Sequence, residues 1–590
     1  MFKKFLPYIL MTGGLFLITV FSSHAESFFA LANKTEEGNM IQTIFLISIM
    51  FLLSFLAFNF TRNTIIPSFV AAILVGVASH SFLKPIIEEK EILSLVVSLG
   101  ATIILFNGGL ETSFLNFRKL FAKIISLSFL GLLLTAFLFS LCLSILSSVL
   151  NLNLSLATII LLGAVLASTD PAAIIPILKQ LRFNKKEVKD IIISESAVTD
   201  VTGTLLTVAF ITAFTVAGNN FQTIGEVYKF LFSATTGIFL LKEVFFGIIF
   251  GVGGYYLLVF LTWLKKRQGQ EFEADAIFFL FIPMVIFALA VIFGGSGYLA
   301  AFVAGLLFYS NDHLHHSEKY FNQTIEGILK PAIFLLLGAL VNIQELISFA
   351  WIGILIALIF MFIIRPIAVF VSFGPFYFKK EGRFSIRELL FISFVRETGA
   401  IPAMLLTTIA SLGIVGLDGF VAIGMWVILA TLIIEPPLTP LIAKILKVAE
   451  PITELVPAKL VVSSGQMVVL GSRGHSFVER LSKVADWAIK HNIVKIVLLH
   501  CPEDKYTEKF VKETEVVAKE EFKNVNKKLE QNGHKTIQFS FLSCRGFLQD
   551  NISNLASQKN NISMVFVGKS ILDYRLSDIK NLNLPFYFLE

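Results

Sequence analysis

Residues 154–214 read LSLATIILLGAVLASTDPAAIIPILKQLRFNKKEVKDIIISESAVTDVTGTLLTVAFITAF. Two long apolar segments lie here, and each carries acids where a membrane span should be driest: Asp170 in the first, Glu195 and Asp200 in the second. A charge at the bilayer centre costs about 2.5–3.5 kcal/mol even on the lenient insertion scale, so such residues mark ion or proton pathways by default. Three of them in two neighbouring spans predict a transporter.

The surrounding chain agrees. Of 590 residues, 55% are hydrophobic and only 15% charged, with 61 Phe and a mean hydropathy of +0.79. A soluble domain carries about a quarter of its residues as charges, so the chain is a multispan membrane protein whose environment is the lipid bilayer. The net charge of +6 sits mainly in alternate loops; it reports topology and gives no sign of nucleic-acid binding. Three cysteines, Cys142 in a span and Cys501 and Cys544 in the tail, form no disulfide framework and fit a reducing compartment for the tail.

At the amino terminus Lys3 and Lys4 precede an apolar run, Phe5 to Phe21, and Ser23-His24-Ala25 follows. This is a signal-peptide pattern over residues 1–25, with an uncleaved first helix as the alternative; residues 26–39 are then a polar segment outside the cytoplasm. From residue 40 to 447, apolar stretches of about 20 residues predict thirteen spans. Connections of one parity carry Arg118 and Lys119; Lys179, Arg182, Lys185, Lys186 and Lys189; Lys265, Lys266 and Arg267; Lys379, Lys380, Arg383 and Arg387, whereas the others carry few basic residues or none. The positive-inside rule makes the basic loops and the carboxyl tail cytoplasmic and the amino terminus external.

Two spans are interrupted in corresponding ways. Ser168-Thr169-Asp170-Pro171 breaks one and Arg396-Glu397-Thr398-Gly399-Ala400-Ile401-Pro402 another, with Pro171, Gly399 and Pro402 as the breaking residues. Paired broken helices in two halves point to a transport site, because unwound carbonyls and half-helix ends coordinate ions at mid-membrane. On a helical wheel of about 100° per residue, Glu195 and Thr199 share one face and Ser196 and Asp200 another. A hydroxyl beside Asp200 suits a hard cation with oxygen ligands. Glu195 needs a counter-charge; Arg365 in the eleventh expected span is the leading candidate, with Arg396 behind it.

The run Ala167-Ser168-Thr169-Asp170-Pro171, followed by Glu195-Ser196-Ala197-Val198-Thr199-Asp200, resembles the monovalent cation/proton antiporters, in particular their sodium/proton exchanger branch. Phe106-Asn107-Gly108-Gly109-Leu110, Ser296-Gly297-Tyr298-Leu299-Ala300, Phe334-Leu335-Leu336-Leu337-Gly338 and Arg396 with Gly399-Ala400 support it. The resemblance implies inverted repeats with crossed broken helices, a homodimer in the inner (plasma) membrane, and secondary exchange of Na⁺ or K⁺ for H⁺. It makes Asp200 the carboxylate that alternately holds cation or proton, completes the cation site with Thr169, Asp170 and Ser196, and gives Glu195 the partner Arg365. Thr199 stands where this branch usually has Asn, and Asn107 where prokaryotic relatives often carry Glu. With no second acid beside Asp200, one-for-one electroneutral exchange is expected.

After a linker at 448–465, residues 466–590 alternate strand-length apolar runs with charged amphipathic helices, which predicts a small parallel α/β sheet. Ala485-Asp486-Trp487-Ala488-Ile489, Val497-Leu498-Leu499-His500 and Met564-Val565-Phe566-Val567-Gly568 make it similar to a universal stress protein domain, with a regulatory Rossmann domain as the runner-up. Gly568 to Asp573 offers one glycine, so the reading is a regulatory or partner-binding domain, with a nucleotide there left open; transport itself requires no cofactor. No nucleophile or resident-metal constellation points to an enzyme. Two readings of other classes stay open: an ion channel, and a non-transporting receptor whose spans only anchor the tail.

Overall fold

The computed structural model describes residues 2–24, 38–61, 67–112, 114–169, 175–178, 181–216, 221–267, 276–308, 316–341, 343–377, 384–412, 414, 416–451, 467–472, 477–491, 493, 495–500, 508–531, 534, 536–543, 562–568 and 586–589. The chain forms two compact units, Met1–Glu450 and Pro451–Glu590.

The first unit is helical. Among the described residues seven helices are long and apolar enough to cross a membrane, and Ser68–Ala78 with His80–Glu88 makes an eighth candidate, bent by 87°. Shorter apolar helices include Leu156–Ala167, Gly297–Phe308 and Ala400–Ser411. Where the sequence predicts single spans at 154–179 and 387–411, the structure has short helices that stop at the two breaks: Leu156–Ala167 ends at Ser168, and Ile386–Phe394 is separated from Ala400–Ser411. Between these pieces runs an unbroken helix, Lys186–Val216. Its apolar window is 83% buried, against 22% for the helix Ala234–Arg267, whose Leu241, Phe245 and Tyr256 stay exposed as a lipid-facing side would. The helix carrying Glu195 and Asp200 is therefore the axis of the unit. The signal-like segment forms the helix Phe2–Ser23, which docks on His80–Glu88 through Phe21 against Phe82, 5.3 Å between ring centroids, and through the Phe82 amide donating to Ser22 Oγ.

Apolar helices in lipid gain no hydrophobic free energy by meeting one another, so close packing must hold them. Two crossings are made by reciprocal glycines. A Cβ on Gly109 would lie 2.3 Å from the Phe302 carbonyl oxygen and one on Gly305 2.2 Å from that of Phe106; Gly76 and Gly338 face Leu335 and Ile73 in the same way, each at 2.1 Å. Two π-helical turns, Ser126–Gly131 and Phe360–Ile364, interrupt two further helices. The first frees the Ser128 carbonyl to accept from Thr202 Oγ1 at 3.0 Å, and Ser128 Oγ donates to the Glu195 carbonyl at 3.3 Å.

The second unit holds a five-stranded, wholly parallel sheet. Its spatial order is Gln538–Ser543, Lys495–His500, Met467–Ser472, Ile562–Gly568, Phe586–Leu589, the doubly wound arrangement expected of βα alternation. Met467–Ser472 is buried at every position, as a central strand covered on both faces must be. The amphipathic helix Val478–Lys490 closes one face with Leu481, Val484, Ala485 and Ala488. The helix expected near Phe547–Ala556, most of the 448–465 linker and the segment 26–37 lie outside the described residues.

Gly338→Ala should lower stability in detergent by about 1–3 kcal/mol, the cost of forcing a methyl into a packed contact. Gly253→Ala, where a Cβ meets nothing within 4 Å, should leave the melting temperature of the full chain where it was. If Gly338→Ala melts with the parent protein, the glycine-mediated crossing is wrong.

Candidate functional site

The helix Leu156–Ala167 stops because Ser168 adopts an extended conformation, with ψ of 151°. Ser168 and Thr169 then run as unwound backbone beside the long helix Lys186–Val216. Gly203, one turn beyond Asp200, makes this approach feasible: a Cβ there would lie 2.6 Å from the Ser168 Cβ. Ser168 Oγ consequently donates to Asp200 Oδ1 at 3.0 Å. Ser196 Oγ donates to the Thr169 carbonyl at 2.6 Å, Thr169 Oγ1 to Ser196 Oγ at 3.4 Å, and Thr169 Oγ1 pairs with Thr199 Oγ1 at 3.0 Å. Asp200 is 6% exposed and Thr169, Ser196 and Thr199 are buried with it. One carboxylate, four hydroxyls and an unwound carbonyl thus gather at this break, a donor set of hard oxygens. Asp170 and Pro171, both expected here, lie outside the described residues.

The second break supplies the cation of the site. Arg396 Nη1 lies 3.2 Å from Glu195 Oε1, and Arg396 Nη2 donates at 2.7 Å to the carbonyl of Ala167, the last residue of the first half-helix. Both side chains are buried. This corrects the expected partnership of Glu195 with Arg365. Arg365 is buried directly after the π turn Phe360–Ile364 and donates through Nη1 to Thr135 Oγ1 at 3.2 Å. The wheel pairing also changes, since Thr199 joins Ser196 on Thr169 while Glu195 turns to Arg396. The break itself spans Val395–Gly399; Pro402 falls in the first turn of Ala400–Ser411, where a missing amide is harmless, so it starts a helix instead of breaking one.

Asn107 belongs to a different group. Its Nδ2 donates to Glu326 Oε2 at 3.4 Å, and Glu326 forms an ion pair with Lys330 one turn on. The sequence did not single out Ser168, Lys330, Glu397 or Glu435, although the last two are 1% exposed in the membrane unit. The signal for Glu435 was present: an acid inside an apolar run, followed by Pro436 and Pro437.

Breaking one partner of a buried ion pair strands the other charge at a cost of about 3–5 kcal/mol. Arg396→Gln should lower the melting temperature of the full-length protein sharply, and Glu195→Gln/Arg396→Gln together should recover most of that loss. Equal destabilisation by the single and double variants would remove the pairing from the fold.

Residues 45–444 match the family described as "Sodium/hydrogen exchanger, transmembrane". The chain is 28% identical over 411 residues to a K(+)/H(+) antiporter NhaP2 of Shewanella baltica (strain OS223), covering 68% of this chain and 65% of that protein. It is 24% identical over 357 residues to Na(+)/H(+) antiporter 1 of Methanocaldococcus jannaschii, covering 58% and 78% respectively. The structure of the sodium proton antiporter MjNhaP1 from that organism at pH 8 superposes with a TM-score of 0.54 at 22% identity, over 68% of this chain and 99% of that one, which shows a shared fold. With two thirds of its length matched by one family and its helices arranged as in that structure, the chain belongs to the sodium/hydrogen exchanger family.

Proposed function

We propose that the chain exchanges a monovalent cation, Na⁺ or K⁺, for H⁺ by alternating access, with Asp200 as the carboxylate on which the two compete. The observation that carries this is the setting of Asp200: buried beside a helix break and held there by Ser168 Oγ, with the neighbouring residue Thr169 bonded to Ser196 and Thr199 on the helix of Asp200. A bare carboxylate there is costly, so it holds a proton or a cation, and each occupant excludes the other. Thr169 and Ser196 offer the further ligands, together with Asp170. The names of the relatives, K(+)/H(+) and Na(+)/H(+) antiporters, support the choice of cargo.

Glu195 and Arg396 lock the two breaks to the central helix, so the three would move as one body relative to the remaining helices. With Glu195 paired to Arg396, Asp200 is the one acid of the site assigned to the cargo among the described residues, which favours one-for-one exchange. Thirteen spans, a homodimer in the plasma membrane and a cytoplasmic, regulatory, universal stress protein-like tail complete the reading; the loop charges support the orientation. A channel would need a continuous polar path, and a non-transporting receptor leaves the buried acid without a purpose.

In inverted vesicles carrying a preformed ΔpH, added Na⁺ or K⁺ should dissipate the gradient, and Asp200→Asn should abolish this at every cation concentration. Exchange by Asp200→Asn equal to that of the parent protein would remove Asp200 from the mechanism.

A further inference from the structure

Two acids of the membrane unit have no part in the exchange site. Glu397 sits in the second break, next to Arg396, and Glu435 lies in the helix Phe420–Ile445; each is 1% exposed. The break is tied to that helix by Thr398, whose hydroxyl lies 2.5 Å from Thr431 Oγ1 and whose amide donates to the same atom at 3.3 Å. Thr431 is one turn before Glu435, so this contact carries Glu397 to Glu435's side of the helix, where it acts on Glu435 as a like charge. The Arg396 backbone amide donates to the Phe394 carbonyl at 2.9 Å, and Glu435 Oε2 accepts no hydrogen bond from any described residue. Pro436, Pro437 and Pro440 withdraw the amides that would have served the carbonyls of Leu432, Ile433 and Pro436. Around Glu435, then, acceptors outnumber donors, and an acid that brings its own proton supplies the donor that is lacking.

Charge leads to the same place. The charged groups acting on Arg396 are Glu195, Glu435 and Asp200. Those acting on Glu435 are Glu397 and Arg396. Of the other described charges on helices packed against Phe420–Ile445, Glu326 and Lys330 neutralise one another, and Arg387 and Glu345 are exposed; Glu388 is engaged as the capping residue of Ser385. One guanidinium, already paired with Glu195, therefore faces two further buried acids, Glu435 and Asp200, while Glu435 also meets the like charge of Glu397, and two neighbouring carboxylates in such a place do not both ionise.

We infer that Glu435, together with Glu397, forms a second proton-holding site, distinct from Asp200 and coupled to it through Arg396. Glu435 is a positioning residue for the exchange: it does not meet the cargo, and its protonation sets how strongly Arg396 is drawn from Glu195 and Asp200. The inference deepens the exchanger reading and rests on it, but its first readout does not depend on transport.

Infrared spectra of the purified full-length protein, taken across a pH titration, should contain a carboxylic-acid C=O band at neutral pH that is lost in Glu435→Gln and kept in Asp200→Asn. Glu435→Asp should move the band without removing it, which covers the case in which Glu435→Gln fails to accumulate. In vesicles Glu435→Gln should still exchange. At alkaline pH, however, it lacks the added negative charge that would help Asp200 retain its proton, so the alkaline limb of its pH profile should move to lower pH by about half a unit or more. A band unchanged by both Glu435 variants, or a Glu435→Gln profile that superposes on the parent's, overturns the second site. Loss of exchange in Asp200→Asn bears only on the first.

Discussion

The membrane unit is organised by a cation that has nowhere to go. Arg396 is buried on an unwound segment, and an unpaired guanidinium in that position is not sustainable. Its two terminal nitrogens fix both neighbours: one faces Glu195 on the continuous helix and the other takes the Ala167 carbonyl at the end of the first half-helix. That carbonyl is among those left without an amide partner by the break at Ser168. The first break thus creates an acceptor, the second provides a donor, and the intact helix between them supplies the balancing charge. Registering two broken helices against one unbroken one is what brings Ser168 within hydrogen-bonding range of Asp200, and Thr169 within that of Ser196 and Thr199.

The same unit uses two kinds of helix contact. Away from the site, the reciprocal pairs Gly109 with Gly305 and Gly76 with Gly338 bring backbone against backbone at distances where a methyl group would collide. Such contacts are rigid, because neither side has a flexible atom to yield. At the site, contacts run through hydroxyls and charged groups: Thr169 with Ser196 and Thr199, Ser168 with Asp200, Thr398 with Thr431. Hydroxyl rotors can exchange partners at little cost, since each both donates and accepts. A polar centre able to rearrange, set among glycine-locked helices, matches what a site that swaps occupants requires.

Much of this was legible in the sequence, and the reasons differ residue by residue. Asp200, Glu195 and both breaks announced themselves because charge, glycine and proline in an apolar run are costly unless used. The tail's alternation of strand and helix was equally plain, since both periodicities are local. The partner of Glu195 was not legible: Arg365 and Arg396 are each lone cations in apolar spans, and only the fold decides that Arg396 reaches Glu195 while Arg365, after a π turn, meets Thr135. Ser168 was overlooked because a serine beside a break looks like ordinary capping chemistry; its role depends on Gly203, a close approach that no periodicity reveals. Glu435 stands inside the last expected span, which the structure has as the helix Phe420–Ile445, but only the fold shows that this helix is tied to the second break through Thr431 and Thr398.

Charge balance connects these pieces to exchange. Glu195 is paired with Arg396, and Asp200 is the carboxylate that Ser168 Oγ holds beside the first break. On the proposed reading a proton cancels its charge by forming a bond, and a metal ion by taking oxygen ligands; the two are alternatives because both need the same carboxylate. If the protein had left a second bare acid in contact with Asp200, two positive charges would be held in one occupied state and the site would favour unequal exchange. On the proposed reading Glu397 and Glu435 avoid that outcome by keeping a proton of their own. The local neutrality of a low-dielectric pocket, and not the identity of any one ligand, then sets how many charges cross in each direction.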